Sequence, residues 1–385
     1  MPHGPLAGVR VVELACLGPG AFATMLLGDL GADVVRIDRA DSAGQFPGSP
    51  RTDLLNRNKR SIVLDLKTPG GISAARALID RADVVVDGSR PGVTERLGLG
   101  PATFDRSNPK LVYGRASGWG QTGPAAQQPG HDINFIAVTG ALHAIGEAGG
   151  PPQIPVNLVG NFAGGSLYLV IGILSALRVA EQTGHGQTVD AATIDGTLHM
   201  MTSMHSMLAA NAWDDQRGLN VTDGGAPFYA VYETADGEYM SVGAMEPKFF
   251  SVLVRALEIP FDTDRQYSRE LWPALRASIA QAFATQTQAY WSDYFERHEA
   301  CVSPVLSIGG AAAHEQIADR ASLVEVDGIY QSAPAPRFSR TDGAIARLPP
   351  IPGEHTDEIL QSVGLVAADL LAEKDPQSAD HHNNT

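Results

Sequence analysis

Residues 9–38 read VRVVELACLGPGAFATMLLGDLGADVVRID, and the pattern within them decides the fold. Val9 to Leu14 is a short apolar run of strand type, Gly18-Pro19-Gly20 is a turn, Ala21 to Leu30 is a helix, and Ala32 to Asp38 is a second β-branched run. A strand, a tight turn, a helix and another strand make one βαβ unit, whose crossover helix carries the chain back to the same end of the sheet and so leaves the strands parallel. The pattern repeats outward, with strands at Ser61 to Leu66, Asp83 to Asp87 and Leu111 to Arg115 and a helix at Gly70 to Ala82. The expected class is α/β, with a Rossmann-like large domain built on a mostly parallel sheet.

Beyond this region the texture changes. Gly- and Pro-rich loops occupy 117–130 and 147–155, and helical patterns dominate 162–213. After Asp223-Gly224-Gly225, the runs Phe228 to Thr234 and Tyr239 to Ala244 flank an Asp236-Gly237 turn and read as a hairpin. Helical patterns follow at 247–257 and 270–297, consistent with a smaller α+β domain. The polar tail from 373 onward reads as a frayed end.

At 385 residues the chain suits two domains, and its net charge of −15 argues against nucleic acid as a partner, because phosphate contacts need a basic surface. Two cysteines, Cys16 and Cys301, make neither a disulfide framework nor a zinc pattern, so no metal is expected. Cys16 reads as a small buried hydrophobe. The apolar run that starts at Phe162 and continues to Arg178 barely reaches the length of a membrane span, carries Gly164-Gly165 and stands alone; it reads as a buried core helix, with no membrane partner. Met1-Pro2-His3-Gly4-Pro5 lacks the features of a signal peptide, and a cytoplasmic location is expected.

Several clusters could carry chemistry. Gly18-Pro19-Gly20-Ala21-Phe22-Ala23 fits the loose dinucleotide fingerprint, with Asp38 near the place of a ribose-binding acid, although a plain strand-to-helix turn explains it equally. Arg51, Arg57, Lys59, Arg60 and Lys67 crowd one region, while Arg90 and Arg96 sit in a second; guanidinium groups at strand ends suit a phosphate-rich ligand, and a salt-bridged surface is the plainer reading. His131-Asp132 opens a helix after a flexible loop, where imidazole can face a ligand and backbone N–H groups a developing oxyanion; a structural histidine and a helix cap are the alternatives. Glu246, before Pro247, could orient a histidine or merely cap a helix, and Asn157 and Asn161 place two amides before the apolar helix. Met200, Met204 and Met207 share a helical face that could floor a pocket for varied acyl chains, or simply fill a core.

Taken in order, Val11-Val12-Glu13-Leu14, Gly18-Pro19-Gly20, Leu30-Gly31-Ala32-Asp33-Val34-Val35-Arg36, Arg90-Pro91-Gly92-Val93, Gly130-His131-Asp132-Ile133-Asn134, Asp223-Gly224-Gly225-Ala226-Pro227, Gly243-Ala244-Met245-Glu246-Pro247 and Gly353-Glu354-His355-Thr356 resemble the α-methylacyl-CoA racemases of the family III CoA-transferase superfamily. The resemblance implies a large domain from both chain ends (1–195 and 325–385), linker helices at 196–225, a small domain at 226–324, and an interlocked homodimer. The implied ligand is an acyl-CoA thioester, with coenzyme A as part of the substrate and no separate cofactor. CoA contacts are implied at Arg39, Leu64, Lys67, Arg90 and Arg96 and along Asp132, Ile133, Asn134, Phe135 and Ile136. His131, supported by Glu246 of the second subunit, is implied as one acid–base group. Where these racemases carry a second catalytic aspartate, this chain has Asn161. A neutral amide exchanges no proton at ordinary pH, so two-faced proton transfer at the α-carbon is expected to be impaired. Other readings stay open: a CoA-transferase using Asp132 as nucleophile, an NAD(P)-dependent oxidoreductase, and a non-catalytic acyl-CoA binder.

Overall fold

A computed structural model describes residues 4–14, 16–39 and 47–371. Met1-Pro2-His3 and the polar tail lie outside the described residues. The chain forms two compact units, one of Met1–Thr139, Val156–Met200 and Leu323–Thr385, the other of Gly140–Pro155 and Met201–Ser322.

The first unit holds a six-stranded sheet: β1 (Arg10–Leu14), β2 (Asp33–Asp38), β3 (Lys59–Val63), β4 (Val84–Asp87), β5 (Val112–Ser117) and β6 (Thr188–Ala192). Their order is β3-β2-β1-β4-β5-β6, and every pairing is parallel. The expected βαβ reading is thus met, and the order reverses between β1 and β4. A parallel sheet must be covered on both faces, and the period-two alternation of the strands supplies two apolar surfaces. Val12, Val35, Ile62 and Val85 face one core with Ala75 and Ile79; Val11, Val34, Val84 and Val112 face the other with Leu27 and Ile173.

Helix α1 (Pro19–Asp29) starts on Pro19, whose missing N–H would have been unpaired there in any case. Gly18 before it sits at φ 54° and ψ −112°, a conformation closed to residues with a Cβ. Helix α2 (Pro69–Ile79) repeats the proline start, and the Thr68 hydroxyl accepts the N–H of Gly71.

Three expectations need correction. The stretch 162–213 is not helical throughout: β6 lies within it, a short edge strand whose Thr188 and Asp190 are exposed, so it offers no apolar run to read. The pattern at 270–297 is two helices, Trp272–Phe283 and Gln288–Phe295, the second capped by the Thr287 hydroxyl on the N–H of Tyr290. The apolar run forms a π-helix (Leu158–Leu167) continued by an α-helix (Tyr168–Thr183) and is buried on one face only. Leu169, Ile173 and Ala176 pack against the sheet, while Leu167, Ile171, Leu174 and Val179 are exposed. By length and composition this helix could cross a membrane.

In the second unit, β7 (Tyr229–Glu233) and β8 (Tyr239–Gly243) form the expected antiparallel hairpin, and β9 (Val302–Pro304) adds a third strand. Phe228, Phe250, Trp272, Phe283 and Trp291 fill its core. Arg217 draws Gly140–Pro155 into this unit by donating to the carbonyls of His143 (2.9 Å) and Gly150 (2.7 Å).

Four of the five clustered cations are engaged in ion pairs, while Lys67 is exposed. Arg57 is buried against Asp29 at 2.5 Å, and Lys59 is buried against Glu13 at 2.8 Å. Arg60 pairs with Asp33 and Glu358 and so fastens the C-terminal segment to the sheet, while Arg51, in the turn Pro50–Thr52, pairs with Glu354 of the same segment. Glu13→Leu should therefore cost about 3–5 kcal/mol in chemical denaturation, because it strands the buried Lys59 ammonium. Glu13→Leu with Lys59→Met should recover most of that loss; an equally unstable double variant would show that the cost lies in packing. His355 Nδ1 accepts the N–H of Ser61 at 3.3 Å, and burial holds its pKa below the ordinary 6.5 against the pull of Glu354 and Glu358. A depressed imidazole pKa means that the stability it lends is complete above 6.5 and is lost as pH falls through the lower, folded value. The unfolding midpoint of the wild type should consequently drop more steeply on acidification than that of His355→Ala.

Candidate active site

A pocket of about 380 Å3 opens at the carboxyl ends of β1, β4 and β5. Its walls come from the turn after β1 (Leu17, Gly18, Pro19), the loop after β4 (Gly88 to Pro91) and the end of β5 with the loop after it (Ala116 to Trp119). It therefore sits where strand order reverses, the crevice in which open α/β sheets bind ligands, because the loops on either side diverge there. His131, Asn161 and Arg90, distant in sequence, all line it.

After the one-turn helix α3 (Val93–Arg96), His131 is the N-cap of the next helix, α4 (Asp132–Val138). Its N–H donates to Asn134 Oδ1 at 3.0 Å, and its carbonyl accepts the N–H of Asn134 at 2.8 Å. The loop before it is packed by aromatic rings: Trp119 and Phe135 meet edge to face at 4.9 Å, and a Cβ on Gly118 or Gly130 would lie 2.0 or 2.6 Å from the Phe135 ring. Both glycines are thus required by close approach, and they leave the imidazole exposed at the pocket wall.

Asn161 stands in the first turn of the π-helix. Its N–H donates to Asp132 Oδ1, and its carbonyl accepts the Ser166 hydroxyl at 3.0 Å; the same hydroxyl reaches the carbonyl of Pro19 at 2.8 Å. Ser166 is fully buried and ties this helix to the β1–α1 turn, a role with no local sequence signal. Asp132 is 6% exposed; burial raises its carboxyl pKa, and the N–H groups of Asn161 and Gly160 pull it back. Asp87 holds the loop that carries Arg90, accepting the N–H of Ser89 at 2.8 Å and the Thr94 hydroxyl at 3.0 Å. Burial pushes the Asp87 pKa up as well.

The remaining expected residues fall in several places. Arg39, Lys67 and Arg96 are exposed beyond the carboxyl ends of β2, β3 and β4. The Leu64 side chain is in the core, so that only its backbone could meet a ligand, and Ile136 is likewise buried. Ile133 and Asn134 are exposed on α4. Asn157 is the N-cap of the π-helix, but its side chain makes no capping bond. Glu246, in the second unit, is an exposed N-cap before Pro247, also without a side-chain capping bond. The methionine face is not continuous, since one helix ends at Met200 and the next begins at Thr202, before Met204 and Met207.

The dinucleotide reading loses its acid. Asp38 Oδ1 accepts from Arg36 at 2.7 Å and Oδ2 from Ser61 at 2.6 Å, both in buried contacts, so the carboxylate is engaged. Gly20 serves packing, as its Cβ would lie 2.5 Å from that of Cys16.

The sequence model of CoA-transferase family III matches residues 6–356. The chain is 42% identical over 370 residues to an α-methylacyl-CoA racemase of Mus musculus, covering 95% of each chain. It is 42% identical over 364 residues to the α-methylacyl-CoA racemase of Homo sapiens, covering 93% of each. Among solved structures, a CAIB/BAIF family protein from Brucella suis superposes with a TM-score of 0.79 at 25% identity, over 94% of this chain and 100% of that one. With Asp38 engaged, a fluorescence titration with NADH should show no saturable binding; a saturable curve that Asp38→Ala abolishes would restore the dinucleotide reading.

Proposed function

This chain belongs to CoA-transferase family III, and from that premise we propose that it is an α-methylacyl-CoA racemase in type, moving the proton on the carbon beside the thioester carbonyl of a 2-methyl-branched acyl-CoA. The observation that carries the reading is that His131, Asn161 and Arg90 line one pocket at the switch point of the sheet. A thioester carbonyl acidifies its α-carbon, so one positioned base can remove the proton and return it. In this reading His131 is that base, and backbone N–H groups at the start of α4 receive the enolate oxygen. Arg90, with Arg39, Lys67 and Arg96 at neighbouring strand ends, supplies charge-assisted contacts to the phosphates of CoA.

Asn161 limits this chemistry. Racemisation needs an acid on one face of the α-carbon and a base on the other, exchanging roles with direction. An amide can hold the substrate through hydrogen bonds but offers no proton for that exchange. His131 then serves one face, and inversion is slow. The transferase alternative would need Asp132 as nucleophile, and its burial away from the pocket wall speaks against that role.

The reading includes a cytoplasmic homodimer in which Glu246 of a second copy supports His131. The exposed apolar stripe of Leu167, Ile171, Leu174 and Val179 supports it, since such a surface gains by burial against another chain. Sedimentation at low concentration should then reveal no folded 40.6 kDa species, and a stable monomer would refute the assembly.

The decisive experiment incubates (R)- and (S)-2-methylacyl-CoA in deuterated water and follows both label and chirality. Deuterium should enter one enantiomer with retention, while inversion lags. Asn161→Asp should accelerate inversion by about 10²–10⁴-fold, the usual worth of a general acid or base. His131→Ala should abolish exchange on the remaining face. Efficient racemisation by the unaltered chain, or exchange that survives His131→Ala, would assign the chemistry to other residues. Arg90→Ala should weaken CoA binding by about 1–3 kcal/mol, measured by calorimetry.

A further inference from the structure

Asp132 follows His131 directly and opens α4, yet it is buried and is not among the residues that line the pocket. Its Oδ1 accepts the backbone N–H of Asn161, with the N–H of Gly160 also directed at the carboxylate. These two donors belong to the first turn of the helix that starts at Leu158, where N–H groups have no partner within the helix. The i→i−5 ladder closes only at Phe162, whose N–H reaches the carbonyl of Asn157 at 3.3 Å. A carboxylate from a different element thus caps the helix that carries Asn161. The approach is tight: a Cβ on Gly160 would lie 2.5 Å from Asp132 Oδ1 and 2.8 Å from Ile136 Cγ2, so residue 160 must lack one. On its other side the Asn161 carbonyl is fixed by Ser166, which also holds Pro19.

We propose that Asp132 is a positioning residue: its buried carboxylate joins the backbone at Asn161 to the helix that begins at His131, and so sets the spacing between the two positions that face the α-carbon. This rests on the functional reading above. The strut is the residue next to the base, so a shift of the Asn161 turn is felt directly across the pocket. Asp132 Oδ2 is buried and has no hydrogen-bond partner among the described residues. The contact that matters is therefore acceptance at Oδ1, which a carboxylate, a carboxylic acid and a primary amide can all provide.

That equivalence makes the test. In the full-length protein, Asp132→Ala and Asp132→Asn are compared for amide hydrogen exchange at residues 158–162, for unfolding midpoint, and for kcat and KM of deuterium incorporation into a 2-methylacyl-CoA. Asp132→Ala should strip protection from the Gly160 and Asn161 amides. It should lower kcat by about 10–100-fold with little change in KM, the scale expected when reacting groups are misplaced by about an ångström. Asp132→Asn should restore both protection and kcat to within about threefold, since its amide oxygen still accepts. Equal losses of kcat in both variants, with protection kept in Asp132→Asn, would overturn the proposal and assign the carboxyl to the chemistry. Unchanged protection and kcat in Asp132→Ala would overturn it too. If Asp132→Ala does not fold, Asp132→Asn decides alone: retained protection and rate support the strut, and retained protection with a lost rate refutes it. If the unaltered chain incorporates no deuterium at all, the functional reading fails, while the amide protection pattern still shows whether Asp132 holds the turn.

Discussion

The first unit is organised around a carboxylate that water does not reach. Glu13, on the central strand β1, is fully buried, and its two oxygens meet Lys59 at 2.8 Å and Arg36 at 2.7 Å. Burial alone would favour the neutral acid, but the two cations reverse this and hold its pKa below the ordinary value. Such a cluster is costly to desolvate and tolerates few geometries, so it fixes register more than it adds stability. From Arg36 the network runs to Asp38, then to Ser61, whose hydroxyl accepts the N–H of Gly353 at 2.8 Å. The Thr24 hydroxyl brings α1 onto the same carboxylate at 2.6 Å. Three strands, one helix and the C-terminal segment are thereby set by one buried charge.

The pocket inherits this order. Arg36 donates to the carbonyl of Cys16 at 3.3 Å, which fixes the turn that continues through Leu17, Gly18 and Pro19 into the pocket wall. Pro19 in turn receives Ser166, Ser166 holds Asn161, and Asn161 holds Asp132 beside His131. Hydrogen bonds and the short chain segments between them thus connect the sheet interior to both sides of the pocket. His131 and Asn161 are placed by backbone contacts, and this allows an amide to stand at 161 without disturbing the frame.

Much of this was legible in the residues. The βαβ rhythm of 9–38 depends on local periodicity and turn chemistry, which a strand or helix expresses in its own sequence. Pro19, Gly18 and the Asp236-Gly237 turn act through their own backbone preferences, and the ordered motifs identify the family that the comparisons also give. Short edge elements such as β6 were not legible, because Thr188 and Asp190 have no apolar partner face to announce a strand. The shared methionine face failed for a related reason: spacing presumes an unbroken helix, and the helix is interrupted at Met201.

Charge was the property that the sequence misled on. Arg57, Lys59 and Arg60 look like a cationic surface because a linear string shows like charges as neighbours, whereas their counter-ions Asp29, Glu13, Asp33 and Glu358 arrive from helix α1, other strands and the C-terminal segment. The sequence by itself determined the fold class, the family and the identity of the residue at 161, each of which is carried by local pattern or by the side chain itself. Only the tertiary structure decided which cations remain exposed at strand ends, that Asp38 is engaged, and that His131, Arg90 and Asn161 share one pocket. Those outcomes depend on pairings between residues far apart along the chain, which close approach and the exclusion of water select and which no local pattern encodes.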